Sequence, residues 1–308
     1  MKEKLPLVFH ENYHVEGWQE SHRFPMAKFI KLKKLLEKDK ILSPENLFKP
    51  EMPSLEDLLL VHSKEYCQNF LNGSLERMAQ RRIGLPWSEE LKIRTQIAVG
   101  GTRLTALLAL DYGLCCNLAG GTHHAHSDFG SGFCIFNDVS LAARHLISKK
   151  LVKKVLIIDL DVHQGDGTAA IHSGEKEIFT FSMHCQKNFP FRKSKSDLDI
   201  GLDENLSDKN YMFILKSTLP ELLENEKPDF IFYNAGVDVY EADPLGKLSI
   251  SLEGIKARDL FVIESALEKS IPCACVIGGG YSKDLNELSY RHSILHRSAK
   301  ELFEKYLV

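Results

Sequence analysis

The segment VLIIDLDVHQGDG, residues 155–167, runs from an apolar stretch into Asp159, Asp161, His163 and Asp166. Side chains alternate along an extended chain, so Asp159, Asp161 and His163, spaced by two, share one face. Hard carboxylate oxygens and a borderline imidazole nitrogen at one strand end suit a divalent cation. A lone Asp in such a place more often caps a helix or accepts backbone N–H groups; the trio points to a metal. Catalytic metals commonly keep three protein ligands and one open position. Asp238, ending the apolar run IFYNAGVD, has the type and place of the missing ligand. The expected set is Asp161, His163 and Asp238, which suits zinc and also accepts iron(II).

The loop GGTHHAH sets His123 beside His124 after another apolar run. Adjacent histidines do not easily ligate one ion from an extended chain, but they can offer two imidazoles to a water and a leaving group. That is general acid–base work. Each ring needs an acceptor to fix its tautomer, and Asp159 and Asp166 are the natural candidates. His126 has no evident partner and reads as structural or surface. In GGGYS, Gly278, Gly279 and Gly280 let the backbone approach a ligand closely, and the Tyr281 phenol is placed to donate to a forming oxyanion. A phosphate cradle is the alternative for the glycines, but neither G-x-G-x-x-G nor a P-loop Lys-Ser/Thr is present. Together these groups describe amide hydrolysis by metal-activated water without a covalent intermediate. No G-x-S-x-G supports an acyl-serine route.

These groups must be positioned by an alternation of apolar runs and amphipathic stretches. PLVF precedes a helical pattern over 25–38, and LCCNLAGG leads through a loop to one over 138–150. VLIIDLD ends in a Gly-rich turn, IFTFSMH precedes a helical pattern over 208–225, DFIFYNAGVD one over 253–269, and CACVIGGG a terminal helical stretch. Apolar runs without period-2 alternation are what strands covered on both faces require. The reading is an α/β chain with a mostly parallel sheet and helices on both faces. Ligands of such sheets bind outside the carboxyl ends of the strands. The run ends here carry GGTHHAH, DVHQGDG, HCQKNFPF, AGVD and GGGY, so a single pocket is expected.

At 308 residues, 44% hydrophobic and 26% charged, the chain is long enough for a large core. It has no linker, low-complexity tract or fixed-period repeat, so one domain over 1–308 is expected. The net charge of −3 comes with scattered Lys and Glu and no basic stripe, giving no sign of a direct nucleic-acid partner. The start MKEKLPLVFHENYH lacks the apolar core of a leader, and no run of about 18 apolar residues occurs. A cytoplasmic protein without a membrane span is expected. The seven cysteines form no C-x-x-C pair and read as reduced, buried thiols.

On HRFPMAKF near residue 22, GGTHHAHSDFGSGFCIFND, IIDLDVHQGDG, YNAGVDVYEADPLGKLSIS and GGGY, the chain resembles the zinc-dependent histone deacetylase superfamily, also called the arginase/deacetylase fold. The resemblance covers most of the chain, and the last two blocks are most similar to class IV enzymes and their bacterial relatives. It implies a sheet of about eight strands and zinc held by Asp161, His163 and Asp238. It also implies acid–base work by His123 and His124 with Asp159 and Asp166 behind them, and oxyanion binding by Tyr281. Gly132 and Phe133 of SGFC, Phe189 of NFPF, and Gly279 and Gly280 match the lining of a narrow tunnel for an acyl-lysine stem. Two phenyl walls suit that task, since a methylene chain between them buries apolar area. A structural potassium ion is implied beside Asp159, Asp161, His163 and Ser182, and hydroxamate-type inhibitors are expected to bind. The class IV pattern often has Asn where this chain has Asp166, and no acidic rim motif for gripping a peptide backbone aligns.

An arginase-like two-metal ureohydrolase needs D-x-H-x-D and a later D-x-D, whereas the segments here read DVHQGD and DVYEAD. A catalytically silent acyl-lysine binding protein would be expected to lose a ligand or the tyrosine, and neither is lost. The favoured activity is removal of acetyl or longer fatty acyl groups from lysine side chains of a protein or peptide. The class IV likeness leans toward long chains. Deacetylation of small acylated amines of the polyamine type is the alternative.

Overall fold

The computed structural model describes residues 3–19 and 21–308, so residues 1, 2 and 20 of the expected 1–308 domain lie outside the described residues. Eight strands, β1 (Leu7–Val8), β2 (Leu47–Phe48), β3 (Leu114–Asn117), β4 (Val155–Asp159), β5 (Ile178–Cys185), β6 (Leu198–Leu202), β7 (Phe230–Asn234) and β8 (Cys273–Val276), form one sheet. Their order is β2-β1-β3-β8-β7-β4-β5-β6, and every neighbouring pair is parallel. The helices are α1 (Lys28–Lys38), α2 (Leu55–Leu58), α3 (Lys64–Leu71), α4 (Arg77–Ile83), α5 (Glu89–Tyr112), α6 (Asp138–Ser148), α7 (Asp166–Ile171), α8 (Asp208–Glu226), α9 (Leu252–Glu268) and α10 (Leu285–Tyr306). This is the α/β architecture expected, a parallel sheet of eight strands with helices on both faces.

The unbroken apolar runs are explained by what covers each face. In β4, Val155 and Ile157 join Phe230, Phe232, Ala274 and Val276 in a core closed by Ala142 and Leu146 of α6 and Ala106 of α5. Leu156 and Ile158 point the other way, with Ile231, Tyr233, Cys273 and Cys275, into a core completed by α1, α8, α9 and α10. Each Val, Leu, Ile or Phe among them, fully buried, contributes about 1.5–3 kcal/mol relative to leaving it exposed. The charged strand ends are therefore held by a rigid apolar frame. All seven cysteines are free and buried.

The helices expected over 25–38, 138–150, 208–225 and 253–269 form as α1, α6, α8 and α9, with shifts of one to three residues at their ends. The alternation pattern did not contain β2, β6 or the 24-residue α5. α5 packs against both cores and is buried on most sides, so its apolar residues mark no stripe. It also carries helix-weakening glycines. A Cβ at Gly101 would overlap the Tyr13 hydroxyl, which donates to Asn117 Oδ1 at the end of β3. Among the described residues no helix is long and apolar enough to cross a membrane.

Candidate active site

Asp159 closes β4 in register with Asn234 of β7 on one side and Ser182 of β5 on the other, and Asn234 pairs in turn with Val276 at the end of β8. The segments leaving these strand ends, together with the loop after β3, meet over one spot. Asp161, His163 and Asp238, all buried, offer ligand atoms within 4.8 Å of one another. His163 Nδ1 stands 3.1 Å from both Asp161 Oδ1 and Asp238 Oδ2. Backbone donors aim the oxygens: Gly279 N–H to Asp161 Oδ2 (2.7 Å), His163 N–H to Asp161 Oδ1 (3.0 Å) and Val162 N–H to Asp238 Oδ1 (3.0 Å). Gly279 is there because a Cβ would overlap Asp238 Oδ2. Burial, then the negative charge of Asp161, pushes the Asp238 carboxyl up to about 6. Two carboxylates crowded around an imidazole are an oxygen–nitrogen donor set that fits a dication, and the three residues form a candidate metal site.

Beside this cluster stand two histidine–aspartate pairs. His123 Nδ1 lies 2.6 Å from Asp159 Oδ2, and His123 Nε2 lies 3.8 Å from Asp161 Oδ1. Burial opposes a charge on His123, but Asp159 and Asp161 outweigh it and raise the ring to about 9. His124 Nδ1 lies 2.6 Å from Asp166 Oδ1, the first residue of α7. Burial, then the charge of His123, brings His124 down to about 4. With Nδ1 held by a carboxylate in each pair, Nε2 is the nitrogen left for chemistry.

His126 does have a partner, contrary to the sequence reading. Its Nε2 lies 3.1 Å from Asp166 Oδ2, and its ring stacks on Phe129. Asp166 thus serves two histidines, whose hydrogen bonds, against the cost of burial, hold it well below the usual carboxylate range. Sequence spacing missed the pair because forty residues separate its members.

Tyr281 lines the same cavity as His123, His124 and Asp161. Burial, then Asp238 and Asp161, pushes its phenol well above the ordinary value, so it remains protonated and able to donate. Its backbone is fixed by an N–H bond to Asp243 Oδ2 (2.7 Å) and by Arg291, which donates to Tyr281 O (2.7 Å) and to Asp243 Oδ2 (3.0 Å). Gly132 and Phe133 both take positive φ, 53° and 67°. The turn is pinned to the end of α4 by Gly132 N–H to Arg82 O (3.2 Å) and Phe133 N–H to Ile83 O (2.8 Å). The Phe133 ring lies 6.0 Å from Tyr281 and the Phe189 ring 4.8 Å from His124. A Cβ on Gly132 would come within 2.9 Å of Phe189 and 2.8 Å of His124. Gly280 O accepts from Lys28 Nζ (3.3 Å), and Ser182 Oγ lies 2.9 Å from His184 Nδ1.

Sequence reasoning did not single out several further groups. Asn234 donates to Asp159 Oδ1 (2.9 Å); it closes the run FIFYN, and its place at a strand end was the available signal. Arg258, wholly buried on α9 beside Asp259, donates to Leu160 O (3.2 Å) and Gly236 O (2.7 Å), clamping the two segments that carry the candidate ligands. Lys28 and Arg94, both buried, line a cavity of about 40 Å³ with Phe24, Phe29, His123, His124 and Tyr281. Burial brings Lys28 down to about 8. No pattern in the sequence marks a buried lysine or arginine in advance.

Known proteins with the same organisation exist. A Histone deacetylase domain family model matches residues 22–296. An uncharacterized protein of Picosynechococcus sp. is 50% identical, covering 97% of this chain and 99% of its own. Histone deacetylase 2 of Arabidopsis thaliana is 30% identical over 91% of this chain and 75% of its own, and the acetoin utilization protein AcuC of Staphylococcus aureus is 29% identical over 91% and 77%. The crystal structure of the HDA15 HD domain shares the fold with a TM-score of 0.77 at 20% identity, covering 97% of this chain and 90% of that one. The family model spans every strand end that supplies the cluster described above, and on that match the chain belongs to the histone deacetylase family.

Proposed function

We propose that residues 1–308 form one catalytic domain, a metal-dependent deacylase that removes acyl groups from lysine side chains. The observation that carries this reading is the convergence of Asp161, His163 and Asp238 beneath His123 Nε2. When bound there, zinc, or iron(II) in its place, supplies a Lewis acid for the amide carbonyl and lowers the pKa of water. The side chains do the rest. One imidazole of the His123–His124 pair takes the water proton at Nε2, and the other returns a proton to the departing amine. Asp159 and Asp166 keep Nδ1 engaged in both rings, so Nε2 stays turned to the reacting atoms. The Tyr281 hydroxyl donates to the carbonyl oxygen as charge builds on it. Gly132, Phe133, Phe189, Gly279 and Gly280 line the passage for the lysyl stem. The class IV likeness and a structural potassium ion beside Asp159, Asp161, His163 and Ser182 belong to the same reading.

Buried Lys28 and Arg94 in the lining of the cavity favour acetyl over fatty acyl groups, since a long apolar tail there would cover their charges. The test is hydrolysis of one lysine peptide acylated with chains of increasing length by the zinc-loaded protein. Acetyl release should lead the series, stop on chelation and be blocked by a hydroxamate. No release at any length from metal-loaded protein would instead support a silent binding protein.

A further inference from the structure

The two segments beside the mouth carry an unusual charge pattern. Residues 77–84, α4 and its cap, hold Arg77, Arg81 and Arg82 with no Asp or Glu, and they anchor the Gly132–Phe133 turn from one side. Residues 186–195 hold Lys187, Arg192, Lys193 and Lys195, again with no Asp or Glu, and they present Phe189 against His124 from the other. Among the described residues none of these seven cations is in an ion pair, although lysines and arginines elsewhere on the chain commonly are. Arg81, Arg82, Lys187, Arg192 and Lys195 are exposed; Arg82 lies over the Phe129 ring, and Lys193 Nζ donates to Asn188 O and Pro190 O. The acids nearby do not match this in number. Asp197 and Asp199 are exposed but accept from Thr180 and from Gln164 and Ser196, and exposed Asp128 and Glu76 stand at the edges, four carboxylates beside seven cations.

A chain of net charge −3 therefore carries, on two segments beside its mouth, seven cations in no ion pair among the described residues, more than the acids next to them. Like charges held close repel unless something anionic docks there, and opposite charge steers a substrate in. We propose that this rim selects acyl-lysines embedded in acidic segments of a peptide, with Arg82 on the one segment and Arg192 on the other reading carboxylates that flank the acylated residue. The proposal rests on the deacylase reading, since a passage for a lysyl stem requires that the molecule docking at its mouth carry the acylated amine. It sets this chain against basic peptide tails and against acylated polyamines, whose remaining ammonium groups the rim repels.

Two peptides with a single acetyl-lysine, one flanked by Asp and Glu and one by Lys and Arg, distinguish the outcomes. Binding to the full-length chain is read by fluorescence anisotropy, and kcat/KM by acetate release from zinc-loaded protein. At low ionic strength the acidic peptide should be favoured about tenfold or more in both, and the gap should close near 0.5 M salt, where screening acts within roughly 4–5 Å. Arg82→Glu combined with Arg192→Glu, both at exposed positions and so tolerated by the fold, should reduce the ratio to one or invert it. Equal binding, a preference for the basic peptide, a preference that the double variant leaves intact, or tighter binding of a thymidine oligonucleotide than of the acidic peptide would overturn the proposal. Hydrolysis of neither peptide with the anisotropy preference intact would overturn the deacylase reading and leave the rim's charge selection standing.

Discussion

On the floor of the site, Asp161 accepts two backbone N–H bonds, Asp238 one, and the paired histidines lean on carboxylates at 2.6 Å; nearly every polar atom is partnered and buried. At the rim, seven cations stand on α4 and on the loop 186–195 without an ion-pair partner among the described residues. The floor grows from the ends of β4, β7 and β8, which an apolar frame fixes on both faces. The rim hangs from segments joined to that frame by a few backbone bonds. Groups that must hold atoms to fractions of an ångström sit on the rigid element, and groups that sort incoming molecules by long-range charge need no such precision.

The largest effect should come from breaking the floor. Asp161→Ala and Asp238→Ala should abolish retention of zinc, read by metal analysis after dialysis, together with all acetyl-lysine hydrolysis. Tyr281→Phe should separate the two readouts, keeping bound metal while losing roughly 10²-fold or more in turnover, as removal of an oxyanion donor does. A fully active Tyr281→Phe would end the role proposed for the phenol. Asp166→Asn should act more weakly, by about tenfold in kcat, because an amide can still hold His124 Nδ1–H through its oxygen but no longer steadies charge on that ring. The His123–Asp159 pair is untouched by that change, so the size of the loss measures how unequally the two imidazoles share the work.

Floor and rim also differ in how far the sequence discloses them. The spacing of Asp159, Asp161 and His163 at one strand end, the adjacent histidines and the runs that end in Asp238 and Tyr281 are local patterns, and local patterns survive in a one-dimensional reading. The His126–Asp166 contact spans forty residues, and Arg258 acts from a helix almost a hundred residues beyond the carbonyl it holds. Neither leaves a spacing to read. α5 escaped because burial on most sides erases amphipathic periodicity. The rim shows the same blindness in charge: no basic stripe stands out along the chain because its two halves, 77–84 and 186–195, are brought together only by the fold.

Between floor and rim lies the loop 122–137, and one buried histidine ties it down. His62 Nδ1 lies 3.0 Å from His126 O, while Asn137 N–H donates to His62 Nε2 (2.9 Å). That arrangement requires a neutral ring with its proton on Nδ1, and burial lowers its pKa to about 4. The unfolded chain takes up this proton near pH 6.5, the folded chain only near 4, so between those values the unfolded state binds more protons and stability falls as pH falls. For His62 alone the loss by pH 4 is on the order of 3 kcal/mol. Buried His296, also brought to about 4, adds to it in the same direction. Urea unfolding between pH 7.5 and 4.5 should show this decline, and His62→Gln should flatten it at the cost of a lower starting stability. A decline of unchanged steepness in that variant would mean that the loop does not depend on a neutral His62, and that the floor is fastened to its surroundings by some other contact.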